Sequence, residues 1–146
     1  MTGGSRKLLV VDDDVTDARF VVRAFKDIGG NIDIVHVDDA DSAALRLTGE
    51  RFDYVLLDVN MPGISGMELL RRIRKNVKTA VMPVIMMTSS MNQSDVYQAY
   101  ASGANAYTVK PSSVSGYRRF AEGFTRFWGD VAITPQGLRE AHHSSQ

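Results

Sequence analysis

The sequence predicts an α/β domain, with five parallel strands in one open sheet and helices on both faces. Short apolar runs occur five times, and each is followed by a stretch whose apolar residues return at helical spacing. The runs are close to continuous rather than alternating, as strands buried on both faces require. Residues with acidic, hydroxyl or basic side chains fall directly after the runs, along what would be one edge of the sheet.

The first strand is Leu8-Leu-Val-Val11, and the helix after it carries Ala18, Val21, Val22, Phe25 and Ile28 until Gly29-Gly30 stops the pattern. Ile34-Val-His-Val37 reads as the second strand, followed by a weaker helix around Ala43 to Leu47 that ends at Gly49. The third strand is Phe52-Asp-Tyr-Val-Leu-Leu57, and Met67, Leu70, Ile73 and Arg74 mark the next helix. Val84-Ile-Met-Met87 precedes a helix through Val96, Ala99 and Tyr100 that Gly103 closes. The fifth strand is Ala106-Tyr-Thr-Val109, and the last helix is expected from Val114 to Trp128.

Composition excludes several classes of function. The chain of 146 residues is 44% hydrophobic, enough for one core. Lys plus Arg number 17 and Asp plus Glu number 17, so the basic excess of a nucleic-acid binder is missing. The lack of cysteine removes disulfides, thiolate metal sites and cysteine nucleophiles, and fits a cytoplasmic location. No apolar run approaches the roughly 18 residues of a membrane span, and Met1 to Lys7 lacks a signal-peptide core.

The strand ends carry the chemistry. Asp12-Asp-Asp14 follows the first strand, Asp58 the third, Thr88-Ser-Ser90 the fourth and Lys110-Pro111 the fifth. Clustered carboxylates without cysteine or nearby histidine suit a hard, oxygen-seeking cation, Mg²⁺ ahead of a caged Ca²⁺. Acidic residues that only cap helices would be the plainer reading, and it serves Asp14, Asp17 and Asp41. It serves Asp58 poorly, because Val59-Asn-Met-Pro-Gly63 delays the next helix. His36 reads as a strand residue, and Met82, Met86, Met87 and Met91 as core or rim packing. His142 and His143 in the tail lack a third ligand for zinc.

Together these segments resemble the receiver domain of bacterial two-component response regulators, a flavodoxin-like (βα)5 fold. The resemblance rests on Leu9-Val-Val-Asp-Asp13, Phe52 to Asp58, Met61-Pro-Gly-Ile-Ser-Gly66, Met87-Thr-Ser89 and Ala104-Asn-Ala-Tyr-Thr-Val-Lys-Pro111. It implies a receiver over residues 6–128, with 129–146 as a C-terminal extension and flexible tail. The extension leaves no room for a DNA-binding or enzymatic output domain, so a stand-alone receiver is expected. It further implies that Asp58 accepts a phosphoryl group from a sensor histidine kinase. Asp13 and Asp58 would bind Mg²⁺ directly, with the backbone carbonyl of Asn60, while Asp12 would act through metal-bound water. Lys110 and the Thr88 hydroxyl would hold phosphoryl oxygens, and Lys110-Pro111 would be a cis peptide. Such a protein is a signalling phosphoacceptor that catalyses only its own phosphorylation and dephosphorylation. Ser89 stands where many receivers have alanine and keeps that position small. Asn60 and Ser90 occupy positions that tune water attack in the family.

Tyr107 matches the family's switch aromatic, whose ring would fill space vacated when Thr88 turns toward the phosphoryl group. A downstream protein partner would read that change. The last helix carries Tyr117, Phe120, Phe124, Phe127 and Trp128 within an arc of about 100°. Core packing accounts for most of this stripe. Phe127-Trp128, followed by an apolar segment to Thr134-Pro135, is similar to the ending of small receivers that serve phytochrome-type histidine kinases. That likeness implies a homodimer through Phe124, Phe127 and Trp128, with an intramolecular clasp as the alternative. A different class competes: Leu8 to Thr16 fits the opening motif of haloacid-dehalogenase-like phosphatases, with Asp12 as nucleophile and Asp14 as acid-base. It leaves Asp58 and Met61 to Gly66 unexplained. A flavodoxin-like cofactor carrier would need a phosphate loop after the first strand, which the sequence lacks.

Overall fold

The structure is a computed structural model that describes residues 5–136. Five strands, β1 (Arg6–Val11), β2 (Ile32–Val37), β3 (Tyr54–Leu57), β4 (Val84–Thr88) and β5 (Ala106–Val109), form one parallel sheet in the order β2-β1-β3-β4-β5. Helices α1 (Val15–Asp27), α2 (Ala40–Gly49), α3 (Gly66–Lys75), α4 (Gln93–Ala101) and α5 (Val114–Phe124) alternate with them. The fold is the α/β architecture expected, with helices on both faces.

Strand alternation divides the core between two faces. Leu9, Val11, Val55, Leu57, Val84 and Met86 meet α2, α3 and the buried Ala99 of α4. Leu8, Val10, Tyr54, Leu56, Ile85 and Met87 meet Val21, Ala24 and Phe25 of α1 and Tyr117, Ala121 and Phe124 of α5. The strand order reverses between β1 and β3, which sets the residues after those strands beside a crevice.

Helix starts are specified locally. Asp14, Asp39, Ser65, Asn92 and Ser113 each accept a backbone N–H in the first turn of α1 to α5 in turn. At the opposite end of the sheet, Arg74 of α3 replaces water as the partner of several loop groups. Its guanidinium donates to Gly103 O (2.8 Å), Met82 O (2.7 Å), Ala80 O (3.2 Å) and Asn105 Oδ1 (2.8 Å). Asn105 Oδ1 also accepts Val84 N–H at 2.8 Å, so one side chain joins α3 to the loops before β4 and β5.

The last α-helix ends at Phe124 rather than Trp128, and Thr125–Val131 continues as a π-helix. The wider turn carries Trp128 under the sheet, where its ring lies 6.3 Å from Tyr54 and its carbonyl accepts the Tyr54 hydroxyl at 3.2 Å. Phe124 is 5% exposed and stacks edge-on with Phe25 and Tyr54, so it is not a free interface residue. Thr134 is 2% exposed, so part of the extension folds back onto its own chain. Met91 is 77% exposed and packs no core, unlike Met82, Met86 and Met87. No peptide bond among the described residues is cis, Lys110-Pro111 included. Trans is the lower-energy isomer even before proline, and the long Lys110 side chain reaches the carboxylates from it. His142 and His143 lie outside the described residues. Among the described residues, no helix is long and apolar enough to cross a membrane.

Candidate functional site

Four of the strand-end segments meet at the crevice. Asp12 follows β1 and Asp58 follows β3, both buried, while Asp13 is exposed above them. Each of these carboxylates offers an oxygen within 4.8 Å of the other two. Local backbone donors aim the buried pair: Asp14 N–H reaches Asp12 Oδ1 at 2.9 Å, and Asn60 N–H reaches Asp58 Oδ1 at 3.0 Å. The remaining oxygen of each faces the Lys110 ammonium, at 3.0 Å in both cases.

Lys110 has a third carboxylate partner, Asp17 Oδ2 at 2.8 Å. Asp17 was expected only as a first-turn acid of α1, and sequence gave it no other signal, because an acid there is what the helix dipole favours. Burial works against the Lys110 ammonium, but the hydrogen bonds it donates to Asp17, Asp58 and Asp12 outweigh it and hold its pKa above the ordinary lysine value. Burial pushes Asp12 up to about 6, against the lowering effects of Asp14 N–H and Lys110. Asp14 is the N-cap of α1, with Oδ1 3.0 Å from Asp17 N, as the capping reading expected.

The loop after Asp58 is held by close backbone contact. Gly66, the first residue of α3, donates its N–H to Val59 O at 3.0 Å. A Cβ at Gly66 would lie 1.9 Å from Asp58 O, so only glycine lets α3 approach this closely. Gly66→Ala is expected to destabilise the fold by about 2–3 kcal/mol, read from denaturant unfolding.

Thr88 is fully buried, and its Oγ1 accepts Asn60 Nδ2 at 3.3 Å and Ser90 N–H at 3.4 Å. Ser90 O in turn accepts the Tyr107 hydroxyl at 2.8 Å. Burial raises the Tyr107 phenol above its ordinary pKa, which keeps it a donor. Tyr107 N–H donates to the Tyr100 hydroxyl of α4 at 3.2 Å. A run of hydrogen bonds therefore leads from Thr88 through Ser90 and Tyr107 to α4. In the sequence, Tyr100 is marked only by its place in a helical stripe. His36 is a β2 residue, as expected, and its Nε2 lies 2.8 Å from Asp12 O.

The donor set fits a hard divalent cation. It is made of oxygen alone, two of its carboxylates are buried, and positive charge is needed to offset them. Asp12, Asp13 and Asp58 are the carboxylates that could hold such an ion.

Comparison with known proteins agrees with this geometry. Residues 8–118 match the profile described as response regulator receiver domain. The chain is 34% identical over 105 residues to the chemotaxis protein CheY of Pseudomonas aeruginosa, covering 72% of this chain and 84% of that protein. The phosphorylated cyanobacterial phytochrome response regulator RcpA superposes with a TM-score of 0.84 at 27% identity, covering 90% of this chain and 99% of that one. The Mn²⁺-bound form of response regulator Rcp1 superposes with a TM-score of 0.80 at 26% identity, covering 89% and 99%.

Proposed function

The chain belongs to the response regulator receiver family, and we propose that it accepts a phosphoryl group on Asp58 from a histidine kinase in the cytoplasm. The observation that carries this reading is the convergence of the Asp12, Asp13 and Asp58 carboxylates, with the Lys110 ammonium 3.0 Å from both Asp12 and Asp58. In the reaction, Asp58 Oδ2, on parting from the Lys110 ammonium, attacks the phosphorus of a kinase phosphohistidine; the P–N bond breaks and the imidazole leaves. Bound Mg²⁺ supplies charge that lets an anionic carboxylate approach an anionic phosphoryl group. Asn60 N–H holds the Asp58 carboxylate in place, and Lys110 stands ready to exchange a carboxylate partner for a phosphoryl oxygen. The Thr88 hydroxyl turns from its present partners toward another phosphoryl oxygen. That motion releases Ser90 N–H and, through Ser90 O, the Tyr107 ring. The protein signals by the changed surface of α4, β5 and α5. The receiver unit spans 6–128, with 129–146 as its extension.

The likeness to phytochrome response regulators favours a phytochrome-type kinase as the donor. The test is the position of the label. After incubation with Mg²⁺ and acetyl phosphate, a base-labile phosphoryl group should map to the tryptic peptide containing Asp58. Labelling at Asp12 would instead support the haloacid-dehalogenase-like reading.

The metal ligands separate by substitution. Asp13→Ala is expected to weaken Mg²⁺ binding by about tenfold or more, while Asp14→Ala leaves it nearly unchanged and lowers stability by about 1 kcal/mol through the lost cap. Calorimetric titration with Mg²⁺ and thermal melting check the two halves. Equal effects of both substitutions on Mg²⁺ affinity would overturn the division.

A homodimer remains part of the proposal, carried now by Phe127, Val131 and Ile133, which are 51%, 64% and 80% exposed. Sedimentation of the full chain should show a dimer at tens of micromolar, and a Val131→Asp/Ile133→Asp variant should be monomeric. A full chain that stays monomeric would remove the dimer from the proposal.

A further inference from the structure

Strand β2 is an edge strand with one side unpaired. Asn31 O and Val37 O accept N–H groups of Arg6 and Asp12, so the odd-numbered residues of β2 turn their backbone toward β1. The N–H and C=O groups of Ile32, Ile34 and His36 therefore point away from the sheet. Such a row of free donors and acceptors is a template for another strand.

Beside this edge runs a cleft of about 510 Å³ between α1 and β2, lined by Ala18, Val22, Arg19, Arg23, Lys26 and His36, with Asp27 at its far end. The three cations occupy one face of α1. Among the described residues, Arg19 and Lys26 have no ion-pair partner, and Arg23 meets only Asp27, at 3.7 Å and 78% exposed. In a chain with equal numbers of acids and bases, these cations lack the carboxylates they could have had. The site described above has the opposite character, with three carboxylates paired to one ammonium.

We propose that the α1–β2 cleft and the free edge of β2 bind an extended acidic segment of a partner protein by strand addition. The backbone of the added strand would pair with Ile32, Ile34 and His36, and every second side chain would project over the cleft. The spacing agrees with this. Arg19 and Arg23 are about 6 Å apart along the helix axis, and alternate residues of a strand are about 6.6–6.8 Å apart. Carboxylates at alternate positions would therefore meet successive arginines, with Val22 between them as an apolar floor.

Charge selects this occupant over two others. Antiparallel pairing of β2 with the β2 of a second copy would bring two sets of Arg19, Arg23 and Lys26 onto the same face, where they repel. The chain's own residues 137–146 contain one glutamate against one arginine and two histidines, and supply no acidic run.

The probe is a short fluorescent peptide of alternating glutamate and valine, with a lysine–valine peptide as control, titrated against the full chain by anisotropy. The acidic peptide should bind and the basic one should not. Arg19→Glu/Arg23→Glu, two exposed positions outside the phosphoryl site, should weaken binding by at least about tenfold while leaving phosphorylation by acetyl phosphate unchanged. Hydrogen exchange should show new protection at the Ile34 and His36 amides on adding the acidic peptide. Binding that survives the charge reversal, that the basic peptide shares, or that leaves those two amides unprotected would overturn the proposal.

Discussion

Replacing Asp58 by asparagine is expected to abolish base-labile phosphoryl incorporation, measured by intact mass after incubation with Mg²⁺ and acetyl phosphate. The amide keeps the shape of the side chain but offers no anionic oxygen to phosphorus, so the loss should be complete rather than graded. The fold should survive. Asp58 is buried within reach of two other carboxylates, and one ammonium is shared among Asp58, Asp12 and Asp17. Removing one negative charge from that group relieves repulsion, so the thermal midpoint of the variant should lie at or above that of the parent chain. Residual incorporation with the label on Asp12 would count against Asp58 as acceptor. A large fall in thermal midpoint would count against the electrostatic account.

Arg74→Ala is expected to lower folding stability by about 3–4 kcal/mol in denaturant unfolding, a large part of the roughly 5–15 kcal/mol typical of a domain. The guanidinium serves three loop carbonyls and the Asn105 side chain, and truncation takes this donor from all three carbonyls while Asn105 Oδ1 keeps only Val84 N–H. Lysine should not rescue it. A single ammonium cannot reach acceptors spread over the fork of a guanidinium, so Arg74→Lys should lose nearly as much. Near-parental stability of the lysine variant would show that charge alone, without the fork, holds these loops.

What the sequence reveals differs between elements for physical reasons. The buried strands β1, β3 and β4 are legible because continuous apolar runs have few other uses in a small domain. Strand β2 starts two residues before its apolar run, because an edge strand tolerates Asp33, whose carboxylate accepts the Ser5 hydroxyl at 2.6 Å. Asp12, Asp58 and Lys110 stand out because each directly follows a strand, and Thr88 because it closes one, where parallel sheets gather their chemistry. Asp17 does not, since its tertiary role is hidden behind an ordinary helix-start preference. The π-turn at Thr125–Val131 is also hidden. A stripe judged at 3.6 residues per turn carries Trp128 onward as regular helix, and only the tertiary pull of Tyr54 shows why the turn widens. Arg74 has the sequence signal of a helix residue alone; nothing in its neighbours marks carbonyls that arrive from residues 80 to 103.

Helix α4 buries one side chain, Ala99, and is otherwise tied down by polar contacts: Asp95 to the Ser90 hydroxyl at 2.7 Å and Tyr100 to the edge of β5. A helix of nine residues is marginal by itself in water, and one alanine adds little hydrophobic anchorage. Its amides should exchange through local opening at free energies well below global unfolding, while those of β1 and β3 report the whole domain. Thermodynamically, local opening of α4 would have to be suppressed by any protein that docks on it, and part of the binding energy would go into that ordering. Any event at the carboxylate crevice that steadies the Tyr107–Tyr100 pair would reduce the entropy lost on docking. It would raise affinity for that protein even if the helix occupied the same average position before and after.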